Sequence, residues 1–585
     1  MKIYALILVC IAFLSMGEMT SNYSPFPGEM INKFPIGDFI SPVNRELKLA
    51  GTFGELRTNH FHAGLDIKSL RQVSGDPVYA AADGYVSRIK IDEFGYGNAI
   101  FIDHVNGYTT LYAHLDRFSY EIENYVKEQQ YLQKSFEVDL YPGPFAIPVS
   151  QMQQIGFMGN TGSSFGAHLH FEIRRTSDQS PLNPLLFGFE IADHVAPVIQ
   201  QLIIYELTED GQVLNSRIMQ PKFNSDSMCY QFDQAIESPA DRVAIGIRTY
   251  DMQDEVSNQN GIYSIQCKEE NEPTFSFALN EIPYEQGRYL NAHIDYKEKI
   301  NENLFFHRCY ALEGNKLPIY TIGNDQGRYQ ISSELPRHFS ISVADFNGNS
   351  STLNFEVRRS ESMAPRVPSP IQYQALGVPD DVTIITQQGI QVVWPEGSFY
   401  EKTPLNIITT PINKGKSYSP YFELSPVDEP VHTFYDVYID GLSVPPELQK
   451  YAFIARCEPN GSLINCGGQW IGNNLTTSVK EMGTYAIMID TLPPKISPVH
   501  FSPNMKGWQK MDFRISDNVR IRDKGRQLLY SAYVDGNWIL MSLDGKTGTL
   551  THRFDGRIPE GDHQLVIKLV DDRGNETVLE KSFTL

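Results

Sequence analysis

A chain of 585 residues is far longer than one hydrophobic core organises, and at roughly 100–200 residues per domain it divides into about three to five units. Its formal charge of −21 is accompanied by no run of Lys or Arg, which excludes broad phosphate-backbone binding and a nucleic-acid partner. With 31 Tyr, 33 Phe, 43 Gly and 35 Pro and no long Ala/Glu/Lys/Leu-rich stretch, the composition predicts a mainly β, multidomain protein.

Residues 1–17 carry one positive charge at Lys2, an apolar run of about a dozen residues and then Ser15-Met16-Gly17, the pattern of a signal peptide cut after Gly17. A membrane anchor needs about 20 apolar residues, and Cys10 follows the bulky Val9 inside the apolar run, which argues against lipidation. No later segment is apolar enough to span a bilayer, so the mature chain is expected to be exported. Loss of Cys10 with the signal leaves Cys229, Cys267, Cys309, Cys457 and Cys466, an odd number in an oxidising compartment. The Pro-Asn-Gly turn of "CEPNGSLINC" suits a disulfide between Cys457 and Cys466 across one hairpin, and no pair is singled out among the other three. No C-x-x-C spacing occurs, which argues against a cysteine zinc site.

Beyond the signal, an N-terminal extension (18–44) leads into a first block at 45–190. Three Pro-marked entries into alternating apolar runs, Ala196-Pro197-Val198-Ile199, Ala364-Pro365-Arg366-Val367 and Pro493-Pro494-Lys495-Ile496, then separate a β-sandwich-like module at 195–360, a β-rich module at 361–490 and a final sandwich module at 491–585. Two segments, "ISVADFNGNSSTLNFEV" from Ile341 and "IKLVDDRGNETVLEKSFTL" from Ile567, each read as strand, Asp-x-x-Gly-Asn turn and strand, the closing hairpin of a sandwich. "AIGIRTYDMQDEVSNQNGIYSIQ" from Ala244 has the same shape without the Gly-Asn and predicts another sandwich edge. These elements resemble the immunoglobulin-like modules of bacterial envelope proteins.

Six of the 14 histidines fall between positions 60 and 170: His60, His62, His104, His114, His168 and His170. "NHFHAGLDI" sets His62 and Asp66 four apart around Gly64, and "TTLYAHLDRF" puts His114 at the end of a β-prone run. In "AHLHFEIR", strand alternation sends His168 and His170 to one face and Leu169 and Phe171 to the other. Imidazole and carboxylate suit Zn²⁺, and three protein ligands leave a fourth position for water, the catalytic arrangement.

"HFHAGLDI", "GDPVYAAADGYV", "GYGNAIFIDHVNGYTTLYAHL" and "IGFMGNTGSSFGAHLHFEIR" together resemble the lysostaphin-type (LytM-like) zinc endopeptidases that hydrolyse peptidoglycan, over residues 45–190 and in the family's order. The resemblance implies that His62, Asp66 and His170 hold one Zn²⁺ per chain and that His114 and His168 are the catalytic pair, with either of the two as general base. Glu172 is read as a partner orienting a ligand histidine or as a solvated strand carboxylate, His60 and His104 as structural or substrate-facing, and Gly156, Gly159 and Gly162 as turn formers. The segment 116–155 is longer than the family's usual connection and is expected to form a lid or groove wall.

The leading expectation is an exported zinc metalloendopeptidase of the bacterial periplasm, cell envelope or cell surface that cleaves peptidoglycan stem or cross-bridge peptides. The absence of any SH3-type wall-targeting domain favours direct stem-peptide cross-links over glycine bridges. A second reading is a silent or autoinhibited peptidase-like protein that binds the wall or regulates a hydrolase, with envelope protein partners met through the C-terminal modules. A third places the function in those modules as an adhesin or glycan binder, with Trp394, Trp470, Trp508 and Trp538 either stacking on sugars or filling cores.

Overall fold

In the computed structural model, the described residues are 33–585 apart from 324, 333–334, 361, 364–371, 413–416 and 522–527. The expected signal peptide at 1–17 with Cys10, the start of the 18–44 extension and the linker signal Ala364–Val367 lie outside them. Among the described residues no helix is long and apolar enough to cross a membrane.

The first block contains β1 (Leu49–Gly51), β2 (Leu56–Arg57), β3 (His60–Phe61), β4 (Leu65–Lys68), β5 (Pro77–Tyr79), β6 (Gly84–Ile91), β7 (Asn98–Asp103) and β8 (Tyr108–Ala113). It continues with β9 (Arg117–Phe118), α1 (Tyr120–Gln133), β10 (Val138–Leu140), β11 (Pro148–Val149), β12 (Gln154–Phe157), β13 (His168–Arg175) and β14 (Pro181–Leu182). An antiparallel sheet in the order β1-β4-β13-β8-β7-β6-β10 is its frame, with β5-β12-β9 as a smaller sheet. The period-2 pattern of β13 decides its orientation: Leu169, Phe171 and Ile173 are fully buried in the core with Leu65, Ile67 and Tyr112, each stabilising the fold by about 2 kcal/mol. Its odd face is therefore spoken for, and His168, His170, Glu172 and Arg174 share the other.

Strands Val198–Leu207 and Lys495–His500 begin at the two described Pro-marked entries. The 195–360 module has two main sheets, one around Val198–Leu207 and Arg242–Tyr250, the other around the hairpin Arg337–Ala344/Ser350–Arg359. The next module also has two sheets, and the last is a pair of four-stranded sheets closed by the hairpin Asp562–Val570/Glu576–Thr584. Both Gly-Asn hairpins form as expected. The Ala244 segment does not make an edge hairpin: Arg242–Tyr250 is interior to one sheet, and the chain then crosses to the other sheet to form Ser264–Glu269.

Two further expectations are corrected. Cys457 and Cys466 are not joined by a disulfide, because the ladder sets Cys457 opposite Leu463 while Cys466 bonds back to Ile454, out of step for a bridge. The 116–155 insertion forms no lid. Its helix α1 buries Ile122, Val126 and Gln130 at i, i+4 and i+8 against the first block and turns Lys127 and Tyr131 outward to the last module. Trp538 meets Tyr131 edge-on at 5.2 Å, Arg557 lies 4.1 Å over the same ring, and Lys127 pairs with Asp555. The last module thereby folds back on the first, and its Lys546 donates to the carbonyls of Asn160 and Ser164.

Candidate metal centre

Register assembles the site. On β13, His170 lies opposite Asp66 of β4 on one side and Ala113 of β8 on the other, so His114, one residue beyond β8, arrives beside it. His62 enters from the turn between β3 and β4, where Gly64 is required: a Cβ there would sit 2.3 Å from the carbonyl oxygen of Phe171. His62 Nε2, Asp66 Oδ1 and His170 Nδ1 stand 2.9–3.0 Å from one another. A tetrahedral Zn²⁺ with bonds of about 2.0–2.1 Å has ligand atoms roughly 3.3 Å apart, so this buried triad is the size of one face of such a site.

Each of the five expected residues is held by its outer atoms. His62 Nδ1 donates to the carbonyl of Thr52 at 2.7 Å, and His170 Nε2 donates to Glu172 Oε1 at 2.8 Å. His114 Nδ1 bonds the carbonyl of Thr161 at 2.9 Å and His168 Nδ1 that of Gly166 at 2.9 Å, so both rings present Nε2 to the cleft. Their centroids are 4.8 Å apart, and His168 Nε2 reaches Asp66 Oδ1 at 3.3 Å. Asp66 Oδ2 accepts from Arg57 Nη2 at 3.0 Å.

Glu172 is fully buried and is the orienting partner, which removes the solvated alternative. Arg174 Nε donates to its Oε2 at 2.7 Å and Tyr96 donates to its Oε1 at 2.8 Å. Burial opposes its charge, yet Arg174 and His170 hold it well below the ordinary carboxylate range. Burial likewise works against the His170 cation, and hydrogen bonds to Asp66 and Glu172 overcome it, raising the ring to about 9. Burial, reinforced by His170 and His168, lowers His114 to about 3. Asp66 is desolvated as well, but His62, His168 and His170 carry it well below its usual value.

Sequence reading missed Arg57, Tyr96 and Arg174. Arg174 was within reach of the alternation that relates His168, His170 and Glu172, whereas Tyr96 and Arg57 come from other strands and loops and carry no local signal. His104 is away from the centre, bonded to the Asp83 carbonyl and Thr110, while His60 lines the cleft. That cleft, about 1330 Å³, is walled on the far side by Tyr284, Arg288, Lys299 and Phe305 of the second module and Lys480 of the third. No residue of 116–155 lines it.

Residues 60–139 match the family described as Peptidase family M23. The chain carries an M23 (LytM-type) peptidase domain. The M23 domain is similar to the DD-carboxypeptidase/endopeptidase Mpg of Neisseria meningitidis, 37% identical over 130 residues that make up 22% of this chain and 23% of that one. It is also similar to the murein hydrolase activator NlpD of Escherichia coli, 33% identical over 142 residues, 24% and 29% of the two chains. Thus the chain spans about a quarter of the length of these relatives. A solved structure described as a zinc containing peptidase from Vibrio cholerae aligns at 24% identity over 26% of this chain and 40% of that chain, with a TM-score of 0.19. Outside the M23 domain, residues 378–490 match the family described as Zu5-like domain, within the block expected at 361–490.

Proposed function

We propose that the protein is an exported zinc-dependent metalloendopeptidase that hydrolyses peptide bonds in peptidoglycan cross-links. The observation that carries this reading is the triad of His62 Nε2, Asp66 Oδ1 and His170 Nδ1 at 2.9–3.0 Å, with His114 and His168 turned toward it by carbonyls. A Zn²⁺ ion held by these three residues supplies Lewis-acid polarisation of a scissile carbonyl and lowers the pKa of water toward neutrality.

The chain's own part is proton handling and orientation. His114 and His168 each have Nδ1 engaged, which leaves Nε2 as the nitrogen that takes a proton from the attacking water or returns one to the leaving amine. Glu172 fixes the tautomer of His170, and Thr52 that of His62. The names of Mpg, an endopeptidase, and of NlpD, a murein hydrolase activator, together support a murein peptide as substrate.

A second reading, a hydrolase-regulating factor, draws support from the likeness to NlpD and from a cleft walled by two other modules. The two readings separate in one experiment: zinc content and muropeptide release from purified peptidoglycan, for the mature chain and its His168→Ala variant. The enzyme reading expects zinc near one per chain in both and loss of cross-linked muropeptides in the parent alone. Zinc-replete parent protein that leaves cross-links intact overturns it in favour of the regulator.

A further inference from the structure

Among the described residues two carboxylate clusters lie outside the M23 centre, each of two buried acids and one half-buried, and they are the same cluster twice. Asp193, Asp251 and Asp345 gather at the junction of the M23 domain with the second module, and Asp490, Asp517 and Asp571 at the junction of the third with the fourth. In each, one carboxylate oxygen per residue lies within 4.8 Å of the others. The positions correspond residue for residue. Asp193 and Asp490 each stand four residues before the proline, Pro197 or Pro494, that opens the next module. Asp251 and Asp517 each follow the strand that pairs with that module's first strand. Asp345 and Asp571 each begin an Asp-x-x-Gly-Asn turn.

The supporting hydrogen bonds repeat too. Asn349 donates its backbone N–H to Asp345 Oδ1 at 2.8 Å and its amide to Asp345 Oδ2 at 2.7 Å and to the Asp193 carbonyl at 3.1 Å. Asn575 makes the same three bonds, to Asp571 Oδ1 at 2.8 Å, Asp571 Oδ2 at 2.7 Å and the Asp490 carbonyl at 3.1 Å. Every donor braces the acids, and among the described residues none of the six carboxylates forms an ion pair with Lys or Arg.

The independent sign of a ligand is an acceptor left over in each cluster. Among the described residues Asp251, 4% exposed, has no hydrogen-bond partner for its Oδ1, and Asp490, 2% exposed, has none for its Oδ2. Buried acceptors aimed at other carboxylates are costly unless a cation completes them. Burial, then Asp345 and Asp193, push Asp251 up to about 8, and burial pushes Asp345 and Asp517 each up to about 6. A cavity of about 40 Å³, room for an ion with a water, is lined by Asp193, Asp251 and Asp345 together with Gln253, Asn260 and Asn347.

We propose that each cluster binds one Ca²⁺, clamping the M23 domain to the second module and the third module to the fourth. The donor set is all oxygen, carboxylate and side-chain amide, with no imidazole or thiolate, which selects a hard cation over Zn²⁺. Calcium fits better than magnesium because Ca²⁺ accepts six to eight oxygens in flexible geometry, whereas Mg²⁺ demands a near-ideal octahedron and retains several waters.

The test is calorimetric titration of Ca²⁺ into the zinc-loaded full chain after calcium removal, with calcium and zinc counted by mass spectrometry. Two Ca²⁺ per chain are expected, with Kd of about 10⁻⁴–10⁻³ M as in extracellular modules. Asp251→Asn and Asp517→Asn each remove one Ca²⁺ and the double variant both, with zinc content unchanged, so that loss of this proposal is distinguishable from loss of the M23 centre. Because Asn relieves carboxylate repulsion, each variant without calcium melts no lower than the calcium-free parent, which separates lost binding from failed folding. Absence of Ca²⁺ binding by the parent at millimolar concentration, equal binding by the double variant, or equally tight binding of Mg²⁺ overturns the proposal.

Discussion

At the scale of single residues the M23 centre is a set of nitrogens whose roles are assigned by what lies behind them. Glu172 offers the clearest test, because it is fully buried between His170 and Arg174 and does not itself line the cleft. Glu172→Gln keeps the shape but weakens the acceptor for His170 Nε2–H, and the expected result is a 10–100-fold loss of zinc affinity by chelator competition. Glu172→Ala goes further, leaving the buried Arg174 guanidinium without its carboxylate, and should destabilise the domain by about 3–5 kcal/mol in denaturant titration. Equal zinc affinity in the Gln variant would remove Glu172 from the site's support. The residues proposed to bind and react were legible in the sequence because they sit in short local patterns, His62-x-x-x-Asp66 and His168-x-His170. Arg57 and Tyr96 were not, since their contacts arise only when β2 and the loop before β7 close over β4 and β13.

At the scale of elements the same division holds. The alternation of β13 and the prolines at 197 and 494 predicted a strand face and two strand starts, because each signal is written in neighbouring residues. The segment 116–155 was expected to form a lid or groove wall, but the outward face of its helix α1 is covered by Trp538 and Asp555, some 400 positions on, and no local pattern names that partner. The cleft wall comes instead from the second and third modules. On it, Lys299 on the helix Tyr296–Glu302 lies against the Phe305 ring at 4.7 Å, and Lys480 against Phe434 at 4.3 Å. Burial lowers the pKa of both, with the Arg288 cation adding to the fall at Lys480 and Glu481 opposing it. Under the proposed activity these cations face the free carboxylates of a stem peptide. Lys480→Glu is expected to raise KM for an anionic cross-linked peptide about fivefold, as for a charge worth about 1 kcal/mol, and to leave kcat unchanged. A fall in kcat at constant KM would contradict a role in ground-state binding.

At the scale of the whole molecule the modules hold the M23 domain from two sides. The second grips β1, where Gln253 accepts from the Leu49 N–H at 2.9 Å and donates to the Leu47 carbonyl at 2.8 Å, just before Thr52, the acceptor for His62. The fourth reaches the loop that carries Ser164 and Gly166, the supports of His168, through Lys546. Its docking also covers Glu93, which is 7% exposed, with Phe94 and the Glu93 carbonyl against Gly545. Burial, then Glu137 and Asp92, raise Glu93 from its ordinary 4.5 to about 8. A carboxyl with a raised pKa binds its proton more tightly in the docked state than when exposed. Docking buries Glu93 further, so it is most favoured at low pH and weakens as pH rises toward 8, by less than tenfold per pH unit because the repulsion from Glu137 and Asp92 is present in the undocked M23 domain too. Hydrogen exchange of α1 reads this directly: protection should decline between pH 5 and 8, after correction for intrinsic exchange, in the parent but stay level in Glu93→Gln, while Trp538→Ala lowers it at every pH. A parent and a Glu93→Gln variant with the same pH slope would mean that Glu93 keeps its environment when the module lifts, and that the closure of the last module over the M23 domain is set by Trp538, Arg557 and Lys127 alone.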